Sequence, residues 1–352
     1  MASTKTTPAR KKAASRSVVS RPIPATMMAA AVDGFGPSSL LTLHTLLVPK
    51  VGPREVLIEI HAAGVGIWDA RIRDGTWADG KEKFPLVLGS DGAGVVVAKG
   101  ENVKSLRVGD SVWAYQYENP KGGFYAEYAA VAADHVAPKP KSLDMLHAGA
   151  GAVTSLTAQQ GIDDHLTAKP EETVLIFGAS GAVGTLGVQF AKLRRARVIA
   201  TASGEDATAH LRKLGADEVI DSRREGFAER LGALAPVGLD AILALAGGEA
   251  LERCLDMVRA GGRVAYPNGV EPEPQPRPKV RLVSYDAEAG SRQFARLHRA
   301  VEEATLQVPI AAVFSLEDAE KAHERIARGH VLGRIVLEIR RDRKENNHGS
   351  ET

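Results

Sequence analysis

Between residue 27 and about residue 140, hydrophobic and polar positions alternate in short runs. The clearest runs are REVLIEIHAAGV, FPLVLGSDGAGVVVAKG, VGDSVWAY and YAEYAAVAADHVA. Glycine, proline and aspartate separate these runs at short intervals, and alternation bounded by such turn residues is typical of β-strands. The pattern therefore predicts a β-barrel or a β-sandwich in this part of the chain.

From about residue 153 to residue 265 the pattern changes to apolar runs separated by segments of helical period. The apolar runs are ETVLIFG, ARVIATAS, DEVID, LDAILAL and GRVAYPNG, and two of the helical segments are EDATAHLRKLGA and LERCLDMVRA. This alternation predicts a doubly wound parallel sheet. After residue 305 the sequence predicts a strand, an amphipathic helix and a closing strand.

Length, charge and cysteine content narrow the class of protein. A chain of 352 residues exceeds the size at which a single core stops growing, so we expect two domains. The formal net charge of +2 favours neither a nucleic-acid partner nor an acidic one, and no apolar run approaches the length of a membrane span. The lone Cys254 excludes an intramolecular disulfide and a cysteine-based zinc site. We expect a cytoplasmic location.

Both ends of the chain are polar. Residues 1–25 hold six basic residues and no acidic one, a composition typical of a transit peptide. Apolar side chains are too sparse there to form a helix face, so we interpret this segment as a disordered basic arm. Residues 341–352 form a second polar tail.

A glycine-rich segment, IFGASGAVG, ends one apolar run and opens a helical segment. In the frame of the dinucleotide fingerprint G-x-G-x-x-G, Ala179 replaces the first glycine, and Gly181 and Gly184 are the other two. Alanine fits if the turn needs no positive φ there, and Gly178 just before it adds freedom. The alternative is a turn that packs a helix on a strand without a ligand. Because a βαβ unit follows, we predict a dinucleotide whose pyrophosphate lies at the helix N-terminus.

The end of the next strand bears on which dinucleotide binds. NAD-specific sites place an acid there to bind the ribose 2′-OH, whereas residues 201–203 of this chain are Thr, Ala and Ser. A 2′-phosphate would have room beside Ser203, and Arg223 or Arg224 after the following strand would pair with it. Glu205 nearby argues the other way. We predict NADP(H).

The sequence resembles the medium-chain dehydrogenase/reductase superfamily, and within it the zinc-free quinone oxidoreductase branch. The resemblance runs from Met28 to about Ile339 and rests on motifs in the same order, among them PREVLIEIHAAGV, PLVLGSDGAGVVVAKG, GGFYAEYAAV, GASGAVG, LRKLGADEVID and GHVLGRIVLEI. It implies an α/β fold with a GroES-like β-barrel domain, residues 26–152 and 306–340, and an inserted Rossmann domain, residues 153–305. The cofactor would lie in the cleft between them.

The sequence departs from the zinc-dependent members that it resembles. Those members carry a cysteine and a His-Glu pair where this chain has Gly66, Ser90 and Asp91. Glycine has no ligating side chain, and serine and aspartate are poor replacements, so we predict no metal. Without a Lewis acid, the easier reaction is hydride transfer to an activated acceptor. The predicted substrate is a small hydrophobic quinone or α,β-unsaturated carbonyl.

Zinc-free relatives commonly have tyrosines at positions 71 and 77, whereas this chain has Arg71 and Trp77, with Trp68 in the same loop. We interpret these three residues as the candidate substrate pocket. The two indoles would stack on a flat acceptor, and Arg71 would stabilise enolate charge or anchor an anionic substrate. The alternatives are interdomain packing for the tryptophans and pairing of Arg71 with Asp69 or Asp74.

The resemblance also implies cofactor contacts where this sequence matches the family. Pyrophosphate contacts fall in the glycine-rich segment, and nicotinamide or ribose contacts fall on a helix and after two strands. One further contact lies on the closing strand. These residues are Gly178, Ser180, Gly181, Ala182 and Val183, then Thr157, Ala246 and Asn268, and finally Arg334.

Two functions remain open. One is an NADPH-dependent quinone or enone reductase, which we favour. The other is a non-catalytic dinucleotide-binding protein that uses its basic arm for an anionic partner.

The predicted assembly is a homodimer. Zinc-free relatives pair Rossmann sheets edge to edge, and PKVRLVSYDA at residues 278–287 is the candidate edge strand. An unprotected edge is costly unless it is paired. The prolines just before this strand fit an extended segment that cannot join a central ladder.

Overall fold

The computed structural model describes residues 22–78, 80–117 and 119–340. Residues 1–21 of the predicted basic arm and the predicted polar tail lie outside the described residues. Within the described residues, no helix has both the length and the apolar character needed to cross a membrane.

The first domain contains the alternating runs and the end of the chain. Its strands are β1 (Thr26–Val32), β2 (Thr42–Leu47), β3 (Glu55–Val65), β4 (Leu86–Val87), β5 (Asp91–Lys99), β6 (Ser111–Tyr115), β7 (Tyr128–Ala132), β8 (Val136–Pro138), β15 (Ile310–Ser315) and β16 (Arg334–Glu338). A small sheet has the order β2-β1-β4, and a larger one has the order β15-β16-β3-β5-β6-β8 with β7 paired to β3. Because β16 pairs antiparallel with β3, the closing strand completes the barrel, as predicted.

The second domain is a six-stranded parallel sheet with helices between its strands. Its strands are β9 (Thr173–Phe177), β10 (Arg197–Thr201), β11 (Glu218–Ile220), β12 (Leu239–Ala244), β13 (Val258–Pro267) and β14 (Arg281–Tyr285). Its helices are α3 (Ala182–Leu193), α4 (Glu205–Lys213), α5 (Phe227–Leu234), α6 (Glu249–Leu255) and α7 (Ser291–Ala304). The order β11-β10-β9-β12-β13-β14 is that of a doubly wound dinucleotide-binding sheet. The predicted fold class is confirmed, and β14 is the edge strand that the proline-flanked sequence predicted.

Helix α2 (Met145–Gln160) joins the two domains. It packs against β3 and β5 on one side and against α3 on the other. A Cβ placed on Gly149 would lie 2.6 Å from the Cβ of Ala62, so only glycine lets α2 approach β3 this closely. The boundary that the resemblance placed at residues 152/153 lies inside this helix.

The topology gathers the predicted cofactor residues at one edge of the parallel sheet. Gly178 follows β9, Ser203 lies just beyond β10, and Ala246 and Asn268 follow β12 and β13. The carboxyl ends of parallel strands share one edge, where ligands of doubly wound sheets bind. The barrel faces this edge through α1 (Ile67–Asp74), and α8 (Ala319–Ala327) packs behind α1.

Candidate cofactor and substrate site

The turn after β9 explains why the fingerprint tolerates an alanine. The positive φ, +82°, falls on Gly178, and Ala179 beside it is fully buried. The Gly178 N–H donates to Thr201 Oγ1 (2.8 Å), and the Ala179 N–H donates to the Thr201 carbonyl oxygen (3.1 Å). The residue that needs a positive φ is therefore Gly178, one position before the G-x-G-x-x-G frame begins. This confirms that alanine fits at position 179.

Helix α3 begins directly after this turn. A Cβ on Gly184 would lie 2.5 Å from the Gly178 carbonyl oxygen, so the helix and the turn pack too closely for a side chain. A Cβ on Gly181 would meet only that same oxygen, at 3.7 Å, and the space in front of Gly181 is otherwise open. Ala182 and Val183 form the half-buried first turn, whose N–H groups have no acceptor within the helix. Open space beside such donors suits a pyrophosphate.

The barrel contacts the glycine-rich turn through the residue that precedes β16. The Gly333 N–H donates to the Ser180 carbonyl oxygen (3.0 Å). Gly333 has φ +98°, and a Cβ on it would lie 2.4 Å from the Pro309 carbonyl oxygen, so only glycine permits this approach. The pyrophosphate end of the cleft is thus crossed by a backbone hydrogen bond.

Arg334, next in the chain, is directed into the barrel. Its side chain is 3% exposed, Nη2 donates to Asp91 Oδ1 (2.8 Å), and the guanidinium lies 4.7 Å from the centre of the Trp68 ring. Asp91 Oδ2 accepts from the Val153 N–H of α2 (3.1 Å). Burial raises the pKa of Asp91, and the charge of Arg334 opposes this rise. Arg334 therefore holds Asp91, and its contact with the cofactor stays a prediction.

Ser203, Asp221 and Arg223 form a cluster beyond β10 and β11. Ser203 Oγ donates to Asp221 Oδ1 (2.6 Å) and accepts from Arg223 Nε (2.8 Å). Burial acts to raise the pKa of Asp221, but hydrogen bonds from Ser203 and the Arg223 N–H outweigh it and lower the pKa. The Arg223 side chain is 61% exposed and that of Arg224 is 82% exposed, so both guanidinium groups are accessible to a phosphate.

The residues predicted to meet the nicotinamide half lie in different surroundings. Ala246 and Asn268 are exposed, and a Cβ on Gly178 would lie 3.6 Å from the Ala246 nitrogen. Asn268 Nδ2 donates to Asp286 Oδ2 (2.7 Å). Thr157 is buried on α2, where its Oγ1 donates to a carbonyl oxygen of the preceding turn (2.8 Å). The structure therefore brings Ala246 and Asn268 to the cleft edge and engages the Thr157 hydroxyl within its own helix.

Trp68 fills the space beside Gly66. A Cβ on Gly66 would lie 2.3 Å from Trp68 Cε2. Trp68 Nε1 donates to Ser90 Oγ (2.8 Å), and Ser90 Oγ donates to Asp69 Oδ1 (3.1 Å). A residue with a side chain at position 66 would therefore force the Trp68 indole out of its present position.

The positions that correspond to zinc ligands do not fit a zinc ion. Gly66 supplies no ligand, Ser90 is bonded to Trp68 and Asp69, and Asp91 is bonded to Arg334. Zinc prefers thiolate, imidazole and free carboxylate ligands. In the part of the chain that the structure describes, no three His, Cys, Asp or Glu side chains cluster as metal ligands.

Asp69 anchors the start of α1. It is fully buried and accepts hydrogen bonds from the Gly66 N–H (2.7 Å), Ser90 Oγ (3.1 Å) and the Tyr125 hydroxyl (3.2 Å). Burial raises the pKa of Asp69 to about 7, while the charge of Arg334 and the Gly66 hydrogen bond oppose the rise. Asp69 therefore holds the start of α1 in place against the barrel.

The Asp69 network continues to α8. Because the Tyr125 hydroxyl donates to Asp69, its oxygen accepts from His323 Nε2 (3.3 Å), which places the imidazole proton on that nitrogen. His323 Nδ1 is then the acceptor for Arg73 Nη1 (3.0 Å). Burial and the charge of Arg73 lower the pKa of His323 to about 3. The chain of hydrogen bonds from Arg73 to Asp69 requires a neutral imidazole.

Arg71 crosses the cleft. Its Nη1 and Nη2 donate to the two carboxylate oxygens of Glu271 (2.7 and 2.9 Å), and its guanidinium lies 5.4 Å from the centre of the Trp77 ring. Glu271 belongs to the segment between β13 and β14. The partner of Arg71 is therefore neither Asp69 nor Asp74, the two candidates from sequence.

Sequence reasoning missed Glu271, Tyr125 and His323 as part of the site. Glu271 lies in the proline-rich run EPEPQPRP, which we interpreted only as an extended approach to β14. Tyr125 and His323 lie 198 residues apart. No local spacing signals such contacts, because long-range packing creates them.

Comparisons with known proteins agree with this geometry. Residues 52–141 match the family described as alcohol dehydrogenase GroES-like domain, and residues 214–337 match the family described as zinc-binding dehydrogenase. Human quinone oxidoreductase is 31% identical over 325 residues, which cover 88% of this chain and 97% of the relative. The human mitochondrial NAD(P)H oxidoreductase RTN4IP1 is 34% identical over 268 residues, which cover 70% of this chain and 66% of the relative.

A solved structure is similar over almost the whole fold. A mycobacterial protein in complex with NADPH has a TM-score of 0.78 and 26% identity, and the similarity covers 89% of this chain and 100% of that chain. A GroES-like domain joined to a Rossmann-like sheet, with a candidate dinucleotide site at their junction, defines a medium-chain dehydrogenase/reductase. The chain belongs to the quinone oxidoreductase-like branch of that superfamily, and it is an oxidoreductase.

His323→Gln should change how stability depends on pH. The pKa of His323 is lowered to about 3 in the folded protein, whereas an unfolded histidine titrates near about 6.5. As the pH falls below about 6.5, the unfolded chain binds the proton first, so the wild type loses stability. The free energy of unfolding of wild type minus that of His323→Gln should fall by about 1.4 kcal/mol from about pH 7.5 to about pH 5.5, measured in urea.

The matched control for this prediction is His330→Asn. It replaces an exposed imidazole at a φ of +50°, a conformation that asparagine tolerates. A difference between wild type and His323→Gln that is equal at both pH values would contradict a neutral buried His323.

Proposed function

We propose that this protein reduces a quinone or an α,β-unsaturated carbonyl by hydride transfer from NADPH, without zinc. One observation carries the proposal. The glycine-rich turn, open at Gly181, is bonded to the barrel through Gly333, and in the barrel Trp68 fills the side-chain space of Gly66 and bonds to Ser90 while Arg334 bonds to Asp91. These contacts support a dinucleotide site that works without a metal ion beside it.

The cofactor is NADP(H). The relatives named NAD(P)H oxidoreductase and the neighbour solved with NADPH support this identity. The turn at Gly178–Val183 would hold the pyrophosphate, and Ser203 with Arg223 would hold the 2′-phosphate. When bound, the cofactor supplies the hydride.

The substrate class follows from the chemistry that remains without a Lewis acid. A quinone or enone accepts hydride at carbon and spreads the negative charge onto oxygen, so no metal is needed to activate it. A proton from water then converts the anion to the reduced product. Trp68 and Trp77 are half-buried, and we propose them as the surfaces that stack on a flat acceptor. Because both terminal nitrogens of Arg71 are bonded to Glu271, we assign Arg71 to positioning rather than to enolate stabilisation.

Turnover with a panel of quinones and enones tests this function. We expect NADPH consumption with at least one acceptor, undiminished by washing the protein with a chelator. Gly181→Val should abolish NADPH binding and turnover, since a Cβ at this position would meet only the Gly178 carbonyl oxygen, at 3.7 Å, and the side chain would enter the space proposed for the pyrophosphate. Gly232→Val, at a position with open space in α5, is the matched control.

Two results would contradict the proposed reaction. The first is NADPH binding without turnover of any acceptor, which would favour the non-catalytic dinucleotide-binding protein. In that case, comparing the full chain with a chain that lacks residues 1–21 would show whether the basic arm binds the anionic partner. The second is stoichiometric zinc that is lost together with activity, because it would show a metal site in the protein.

Arg223→Gln should weaken NADPH binding and leave NADH binding unchanged. The guanidinium would pair with the 2′-phosphate, which NADH lacks, and a charge-assisted hydrogen bond of this kind corresponds to about a tenfold change in dissociation constant. Fluorescence titration of both cofactors measures the effect. Arg230→Gln, which removes the same charge from exposed α5, should change neither constant. Equal or tighter NADH binding by wild type would count against the assignment.

We retain two further proposals from the sequence, a cytoplasmic location and a homodimer. The exposed side of β14 is a free sheet edge within the described residues, and Leu282 and Val283 are half-buried there. Light scattering at micromolar concentration should give the mass of two chains, because an unprotected edge is costly unless paired. Val283→Lys should then reduce the mass to that of one chain. A monomeric wild type would exclude the dimer. Detection of the protein in a compartment other than the cytoplasm would exclude the cytoplasmic location.

A further inference from the structure

Helix α1 of the barrel domain contacts the segment that follows β13 in the Rossmann domain. The bidentate pair of Arg71 with Glu271 is the charged part of this contact. A planar guanidinium bonded by two parallel hydrogen bonds to a carboxylate fixes orientation as well as distance. The two residues lie 200 positions apart in the chain and belong to different domains.

An aromatic contact lies beside the ion pair. A Cβ on Gly269 would lie 2.3 Å from Trp77 Cζ2, so the indole rests directly on the Gly269 backbone. The Trp77 backbone N–H donates to the Arg71 carbonyl oxygen (3.1 Å), which fixes the backbone that carries both residues at the end of α1. Gly269 follows Asn268 in the sequence, so the indole packs next to a predicted cofactor contact.

The segment between β13 and β14, which contains Glu271, also packs on the end of β12. A Cβ on Gly247 would lie 2.1 Å from the Pro272 carbonyl oxygen, so the backbone after Glu271 packs on Gly247. Gly247 follows Ala246, another predicted cofactor contact. Arg71 and Trp77 therefore hold the two strand ends where the nicotinamide half of the cofactor is expected.

Helix α1 itself is fixed to the barrel. Arg73 is bonded to His323 and, through Nε, to the Gly36 carbonyl oxygen (3.0 Å), and Asp69 is buried in its hydrogen-bond network. In contrast, the Glu271 side chain is 62% exposed. The contact between α1 and the Rossmann domain is thus the part that water and salt reach.

We propose that Arg71, Trp77, Gly269 and Glu271 form an interdomain latch that positions the nicotinamide half of NADP(H) and limits the rate at which the cofactor leaves. The proposal rests on the proposed function for the identity of the ligand. The hydrogen bond from Gly333 to Ser180 crosses the pyrophosphate end of the same cleft. A cofactor bound between the latch and the Gly333–Ser180 hydrogen bond leaves only when one of these two contacts breaks.

The latch is tested by the rate of NADPH release from the full chain, measured by stopped-flow displacement. Glu271→Gln and Arg71→Gln should each accelerate release about two- to fivefold, since each removes an ion pair whose carboxylate is largely exposed. The double variant Arg71→Glu with Glu271→Arg should restore most of the wild-type rate. Raising the ionic strength from about 0.05 M to about 0.5 M should accelerate release from wild type more than from Glu271→Gln.

Two controls separate the latch from a general loss of structure. Glu249→Gln breaks an exposed ion pair with Arg253 inside α6 and should leave the release rate unchanged. The adenosine half of NADPH, with its 2′-phosphate at Ser203 and Arg223 as proposed, would not reach the latch, so its release should be equally fast from wild type and from both single variants. A merely structural defect would accelerate both ligands.

Three results would overturn the latch and leave the proposed function in place. Wild-type rates of NADPH release in both single variants would remove its kinetic role. Acceleration that the charge swap does not reverse would show that the effect does not depend on the ion pair. Equal acceleration of NADPH and of the adenosine half would indicate structural damage. A wild type that binds no NADPH would overturn the proposed function and the latch together, whereas unchanged release from a protein that binds and oxidises NADPH overturns the latch alone.

Discussion

The cleft of this protein depends on one buried carboxylate, that of Asp69. A buried polar group is tolerated only when hydrogen bonds replace its hydration, and three donors surround this carboxyl group. These donors fix the first turn of α1, the Ser90 hydroxyl and, through that hydroxyl, the indole of Trp68. Because α1 also carries Arg71, the position of the interdomain contact follows from the same network.

Close packing of large side chains on glycines is the second constraint on the cleft. At three positions a large side chain occupies the place that a Cβ would need, so the two residues of each pair must change together. At position 66, for example, any residue with a Cβ would displace the indole of Trp68. The three pairs are Gly66 with Trp68, Gly64 with Arg334, and Gly269 with Trp77.

Much of the cofactor side could be predicted from sequence because its signals are local. The turn at Gly178, the close packing at Gly184 and the edge position of β14 each follow from residues within a few positions of one another. The barrel side was less predictable. Arg334 bonds to Asp91, which lies 243 positions away in the sequence, and no local pattern indicated this partner. Hydrophobic alternation does not encode which charged groups will meet.

The sequence by itself determined the element types, their order and the dinucleotide turn, since these depend on short-range periodicity and on backbone preferences of single residues. Only the tertiary structure decided what the charged and aromatic side chains of the cleft do. A side chain with several possible partners takes the one that packing of the two domains brings within hydrogen-bond distance. Arg71 had two aspartates close in sequence, yet domain packing placed Glu271 against it.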